Sequence, residues 1–403
     1  MVAKPPRDTA PARRPRDRRG WWAGVLAAIA ASGVVYATPH VPQRDEEVLA
    51  TLPRGVGHSS TAQRAQAAAR LDVALPLAQF FISQARTTGD LRFLGYAEAL
   101  LAPWRDRTPP VPAAQVLEAT ILQSRHSFAA ALAELDRVLA AQSDEPQAWL
   151  TRAAVLRVLG RYREASDSCA HVATLDAPVG ELCAQAARAL DGHLESAYAA
   201  VLALPFATLS GTARAWRCSE LGEMAERRGD SASAARWFRA GLTLAPDDVY
   251  TRAAYADLLL ESGWPAETLA LLQGYESMEP LLLRIAIAQQ QLADPRAAHS
   301  RALLAGAFAV EQQRGEEVHR REQARFLLDL AHEPAAALEA AQENWRTQRE
   351  PADALILLRA AEAAGRPDVA TPVVEFLREH RLEDDRLAAH LAALESRAQA
   401  RAR

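Results

Sequence analysis

The sequence predicts an all-α protein built as an array of stacked helix-turn-helix units, and three observations predict it. Hydrophobic residues fill 49% of the 403 positions but aromatic residues only 6%. The apolar material is therefore mostly Ala and Leu, which favour helix over strand. From about residue 62 the chain reads as short amphipathic segments separated by turn residues. Finally, a small residue recurs five positions after a turn glycine, at Gly160/Ala165, Gly192/Ala197, Gly229/Ala234, Gly263/Thr268 and Gly365/Ala370. His126/Ala131 and His332/Ala337 keep the same phase without the glycine.

The chain opens on a basic arm, 1–19, where Lys4, Arg7, Arg13, Arg14, Arg16, Arg18 and Arg19 stand against only Asp8 and Asp17. Lys4 is the only lysine among 46 basic residues, and the arginines are spread along the whole chain, as compositional bias spreads them. Without the arm, the remainder is more acidic than the net −4 of the whole. Phosphate backbones require clustered positive charge, so nucleic acid is not an expected partner.

Residues 20–38 follow as an uncharged segment whose apolar part, 21–37, is near the lower limit of about 17 residues for a membrane-spanning helix. Trp21 and Trp22 stand where indoles favour the membrane interface. Two readings are open. A retained signal anchor would make a single-pass bacterial inner-membrane protein with the array in the periplasm. A signal peptide cut after Val35-Tyr36-Ala37 would release a soluble periplasmic or secreted form. Residues 39–61, with Pro39, Pro42, Pro53, Gly55, Gly57 and Ser59-Ser60-Thr61, have linker composition. Their GVGHSS stretch lacks the lysine and glycine spacing of a phosphate loop.

The array is expected over 62–395. Residues 62–104, with Gly89 and Asp90 at the turn, read as a divergent capping unit ending at Pro103-Trp104. Small-residue positions 131, 165, 234, 268, 337 and 370 are separated by 34, 69, 34, 69 and 33 residues, one or two periods of about 34. A unit of that length cannot bury its apolar face alone and must stack on its neighbours. Residues 180–214 fit only with a shifted turn. Residues 283–320 keep Ala286, Asp294 and Ala298 in rough phase before an overlong polar helix over 312–321. From Asp384 an Arg- and Ala-rich helix caps the array, and 396–403 form a polar tail.

Unit 215–248 carries Leu221-Gly222, Gly229, Ala234, Phe238, Gly241 and Pro246, and unit 146–179 carries Trp149, Ala153, Gly160, Tyr162 and Ala165. In these residues the chain resembles the tetratricopeptide repeat family, as a bacterial envelope-exported member. The resemblance implies a right-handed superhelical solenoid whose inner surface is lined by the first helix of each unit and binds a peptide or helix of another protein. The family's groove-facing positions fall on Gln123, Arg157, Trp216, Glu223, Arg227, Tyr250, Asp257 and Leu260. The basic and amide clamp of chaperone-tail-binding relatives is not reproduced.

Chemistry finds no foothold in local motifs. The ten histidines show no zinc-type spacing, and no nucleophile elbow, phosphate loop or dinucleotide fingerprint is present. No catalytic residue, cofactor or metal is expected. Cys169 falls in the second helix of its unit and Cys183 in the first helix of the next, close enough in a stacked solenoid for a disulfide after export. Two buried free thiols are the alternative, and Cys218 is left unpaired in either case. The expected role is a non-catalytic protein-interaction scaffold of the bacterial envelope. The alternative is a cleaved module binding a peptide or glycan.

Overall fold

In the computed structural model, the described residues are 66, 69–105, 107–314 and 319–401. They all fall within one compact unit. The basic arm, the 20–38 segment and the 39–61 linker lie outside the described residues. Among the described residues no helix is long and apolar enough to cross a membrane.

These residues form helical hairpins, with no strand among them. Helices α1 (Leu71–Thr88) and α2 (Arg92–Arg105) make the first, α3 (Pro112–Ser124) and α4 (Phe128–Ala141) the second, α5 (Pro146–Val158) and α6 (Tyr162–Leu175) the third. Next come α7 (Ala177–Arg188) with α8 (Leu194–Ala203), α9 (Gly211–Arg227) with α10 (Ser231–Leu244), and α11 (Val249–Glu261) with α12 (Pro265–Leu271). The last hairpins pair α13 (Glu279–Gln291) with α14 (Ala297–Arg314), α15 (Arg320–Asp329) with α16 (Pro334–Thr347), and α17 (Pro351–Ala363) with α18 (Thr371–Glu379). Helix α19 (Asp385–Arg401) closes the array. The fold is an array of stacked helical hairpins.

Local chemistry sets the helix ends. Proline stands in the first turn of α3, α5, α7, α13, α16 and α17, where its missing N–H costs nothing. Asp176, Ser210 and Asp230 cap α7, α9 and α10 by accepting from the backbone N–H groups of Val179, Ala213 and Ser233. The hairpin turns pass through the left-handed region, with φ of 74° at Gly160, 75° at Gly192 and 73° at Gly229. His126 and His332 take the same conformation at φ 55° and 58°, which explains why they keep the glycine phase. Ala131, Ala165, Ala197, Ala234, Thr268 and Ala337 are each 0% exposed and Ala370 1%. A larger side chain at any of them would push the two helices of its hairpin apart.

One unit departs from the expected phase. Ala298 is exposed, and Ser300 takes the buried position at 6%. The polar stretch 312–321 is shared between the end of α14 and the start of α15, so it does not form one described helix. The closing helix extends to Arg401, through most of 396–403, and buries Leu387 and Leu394.

The array also folds back on itself. The Arg349 backbone N–H donates to the Val158 carbonyl at 2.7 Å. A Cβ built on Gly160 would stand 2.7 Å from the Phe376 ring, one on Gly192 2.9 Å from Arg381 Cβ, and one on Gly229 2.5 Å from an Asp385 carboxylate oxygen. Three successive turns thus rest against 376–385 in register. Tyr162 and Leu190 consequently belong to the same buried cluster as Leu338, Trp345, Leu358 and Val373. Burial of these side chains supplies roughly 1.5–3 kcal/mol each before entropic costs.

Candidate functional site

The residues expected on the groove stand on first helices of the hairpins. On α9, Trp216, Glu220, Glu223 and Arg227 follow helical spacing along one face. Arg157 reaches over from α5 and grips Glu220 bidentately, its Nη1 and Nη2 donating at 2.7 and 3.2 Å. Trp216 Nε1 donates to the same carboxylate at 2.8 Å. Glu220 is 5% exposed and doubly bound.

Glu223, one turn on, has different company. The Tyr250 hydroxyl from α11 donates to it, and among the described residues no basic group lies within ion-pair distance. Enclosure by the surrounding helices, then the charge of Glu220, push its carboxyl up to about 7, with Arg157 opposing. The same enclosure, with the fields of Glu223 and Glu350, raises the Tyr250 hydroxyl well above its ordinary value. Tyr250 nevertheless keeps 55% of its surface open to water. It is a solvated ring beside a carboxyl poised between its two protonation states. Such a pair can accept a cation or a hydrogen-bond donor from a ligand.

The remaining residues expected on the groove are placed elsewhere. Asp257 on α11 accepts from Arg284 at 3.0 and 2.6 Å and from Arg325 at 2.7 Å, joining α11, α13 and α15. Burial opposes its ionised form, but the two guanidinium groups outweigh it and hold the carboxyl down at about 2. Arg227 is 4% exposed and donates to the Ala189 carbonyl at 2.7 Å. Leu260, 6% exposed, packs with Leu282, Ile287 and Phe326. Gln123 is half-buried on α3. Arg157, Trp216, Glu223 and Tyr250 are therefore brought together, with Glu220 as the link that sequence reasoning missed. Glu220 was within reach of the helical spacing from Trp216. Glu350, which reaches the pair's field from the N-cap of α17, carried no such signal.

Cys169 and Cys183 are bonded, with Cα atoms 5.4 Å apart, and fasten α6 to α7. Cys218 is free and buried. A separate cleft of 410 Å³ lies between α4, α5 and α6, lined by Asp136, Trp149, Arg152, Asp167 and His171. Within it Arg152 donates to Asp136 and Ser168, and Trp149 stacks on His171 at 4.0 Å.

No protein-family model matches the chain, and no curated protein matches it. Among solved structures, yeast Tom70 is similar over 85% of this chain and 82% of that one, at 11% sequence identity and a TM-score of 0.39. The TPR domain of P58(IPK) is similar over 81% of this chain and 99% of that one, at 17% identity and a TM-score of 0.22.

Proposed function

We propose that this chain is a non-catalytic protein-interaction scaffold held in the bacterial inner membrane, with its helical array in the periplasm. The array holds a peptide or helix of a partner on the inner face around Trp216, Glu223 and Tyr250. The observation that carries the reading is Tyr250. A large aromatic side chain stays 55% exposed beside a carboxyl that, among the described residues, has no basic group within ion-pair distance. Exposed aromatic side chains next to polar anchors are favoured contact points for partners. The basic arm, the apolar run 21–37 and the Cys169–Cys183 bond support export to an oxidising compartment.

The test is capture of partners from detergent-solubilised envelopes by wild-type protein and by Tyr250→Ala, with the N-terminus of the recovered chain sequenced. A partner held by the wild type should be retained about tenfold less by the variant, the loss of one hot-spot contact. Equal retention would remove Tyr250 from the binding face. A chain starting at Thr38 would replace the tethered scaffold with a released module.

A further inference from the structure

We propose that Glu279, Glu311 and His319 form a binding site for a divalent transition-metal ion, with zinc the best match to the donor set. Glu279 opens α13, Glu311 lies near the end of α14, and His319 caps the start of α15. No short motif connects them, and the hairpin stacking alone brings them together. One ligand atom from each lies within 4.8 Å of the others.

His319 Nδ1 is 2.6 Å from Glu311 Oε1 and 3.4 Å from Glu279 Oε1. Zinc bonds to nitrogen and oxygen are roughly 2.0–2.2 Å, which at a tetrahedral angle places donors about 3.3 Å apart. The Glu279 spacing already fits, and the Glu311 spacing needs to open by a fraction of an ångström. The three side chains are 23%, 17% and 21% exposed, so the centre is sheltered without being sealed.

A second observation sets this cluster apart from an ordinary ion pair. Glu279 Oε1 is buried and accepts no hydrogen bond. The Nδ1 position carries at most one proton, and at 2.6 Å that proton is committed to Glu311. Glu279 Oε1 thus faces His319 at 3.4 Å with no hydrogen bond to accept, a state native proteins rarely tolerate unless an ion or water completes it. A dication serves all three donors at once. The field of Glu322 also reaches His319 and Glu279, adding negative charge. An imidazole nitrogen with carboxylates favours zinc and its neighbours over magnesium or calcium, which prefer all-oxygen shells. Bound there, the ion would tie α13, α14 and α15 across two successive hairpins.

The experiment uses tag-free full-length protein stripped with chelator, titrated calorimetrically with Zn²⁺ and followed by absorbance with Co²⁺. The expected result is one equivalent bound, with Co²⁺ bands of a four-coordinate site and a higher melting temperature with Zn²⁺. Glu311→Gln and His319→Gln should each weaken binding at least tenfold, while His171→Gln leaves it unchanged. Far-ultraviolet circular dichroism checks that each variant is folded. A variant that unfolds is replaced by Glu279→Gln, read the same way. No saturable binding by the wild type, unchanged affinity in folded Glu311→Gln and His319→Gln, or equal affinity for Mg²⁺ and Ca²⁺ would overturn the assignment.

Discussion

The Tyr162 hydroxyl donates to the Arg349 carbonyl at 2.9 Å, across 187 residues of chain. Tyr162 is 0% exposed, so the bond is made in the dry interior where the third hairpin meets the α16–α17 connection. Tyr162→Phe keeps the ring and removes the donor, and is expected to cost about 1–3 kcal/mol. Gly160→Val is expected to cost more. It adds about 1–2 kcal/mol for a side chain in the left-handed region and a further ~1–3 kcal/mol for crowding the Phe376 ring. Urea midpoints of the two variants give the comparison. Midpoints equal to wild type would mean that the fold-back contact contributes nothing to stability.

Asp257 is expected to act as a structural anchor. Its two guanidinium partners, Arg284 and Arg325, are 7% and 14% exposed at the side chain, so neither is free to turn to water. Asp257→Asn leaves both without their shared counter-charge, at an expected cost of about 3–5 kcal/mol. The pH dependence has a definite sign. A carboxyl held at about 2, below its ordinary 3.8, stabilises the fold above pH 4, and that contribution is lost as pH falls through 2. The span corresponds to about 2 kcal/mol. Urea melts of wild type and variant between pH 2 and 6 should converge at the acid end, and parallel curves would contradict the assignment.

How much of this was legible depended on how local the determinant was. The turn phase was readable because a left-handed turn residue and a small residue five positions later sit within one hairpin. His126 and His332 were found by phase alone. The Arg157, Trp216, Glu223 and Tyr250 neighbourhood was readable because stacked first helices present corresponding faces. Arg227 and Leu260 stood on the same extrapolation, but each lies in the last helical turn before its glycine, where neighbouring hairpins close over it. Arg284 and Arg325 reach Asp257 from the next two first helices, and the sequence does not say which side chains meet across that stack, whereas the field of Glu350 on Tyr250 depends on the fold-back. The spacing of Glu279, Glu311 and His319 follows no ligand motif because the stacking of consecutive hairpins, and not local sequence, brings them together.

The Cys169–Cys183 bond should be visible both chemically and in stability. Denatured, non-reduced protein is expected to show one reactive thiol, Cys218, and the native protein none, because Cys218 is 1% exposed. The bond closes a loop of sequence separation 14. A loop of that size restricts the unfolded chain by about 3 kcal/mol, so Cys169→Ala with Cys183→Ala should lower stability by roughly that amount. Thiol titration with and without denaturant, followed by urea melts, measures both. Three thiols in denatured protein isolated without reductant would show that the pair is not bonded in the cell.

Glu223 should make the array less stable as pH rises through neutrality. Its carboxyl is raised from 4.5 to about 7, so between those values the folded chain binds a proton that the unfolded chain has already released. Stability from this group is complete below pH 4.5 and is lost as pH approaches 7, by on the order of 1–3 kcal/mol. Glu223→Gln stays neutral and still offers an acceptor to Tyr250. The variant should match wild type near pH 4.5 and exceed it at pH 8, with urea midpoints at the two values as the measurement. The same linkage acts on ligands: a cationic group placed against Glu223 favours the ionised form, so its affinity should rise between pH 5.5 and 8 in the wild type and stay level in Glu223→Gln. A variant no more stable than wild type at pH 8 would mean that the ionised carboxylate is already stabilised by its neighbours and that its pKa is not raised.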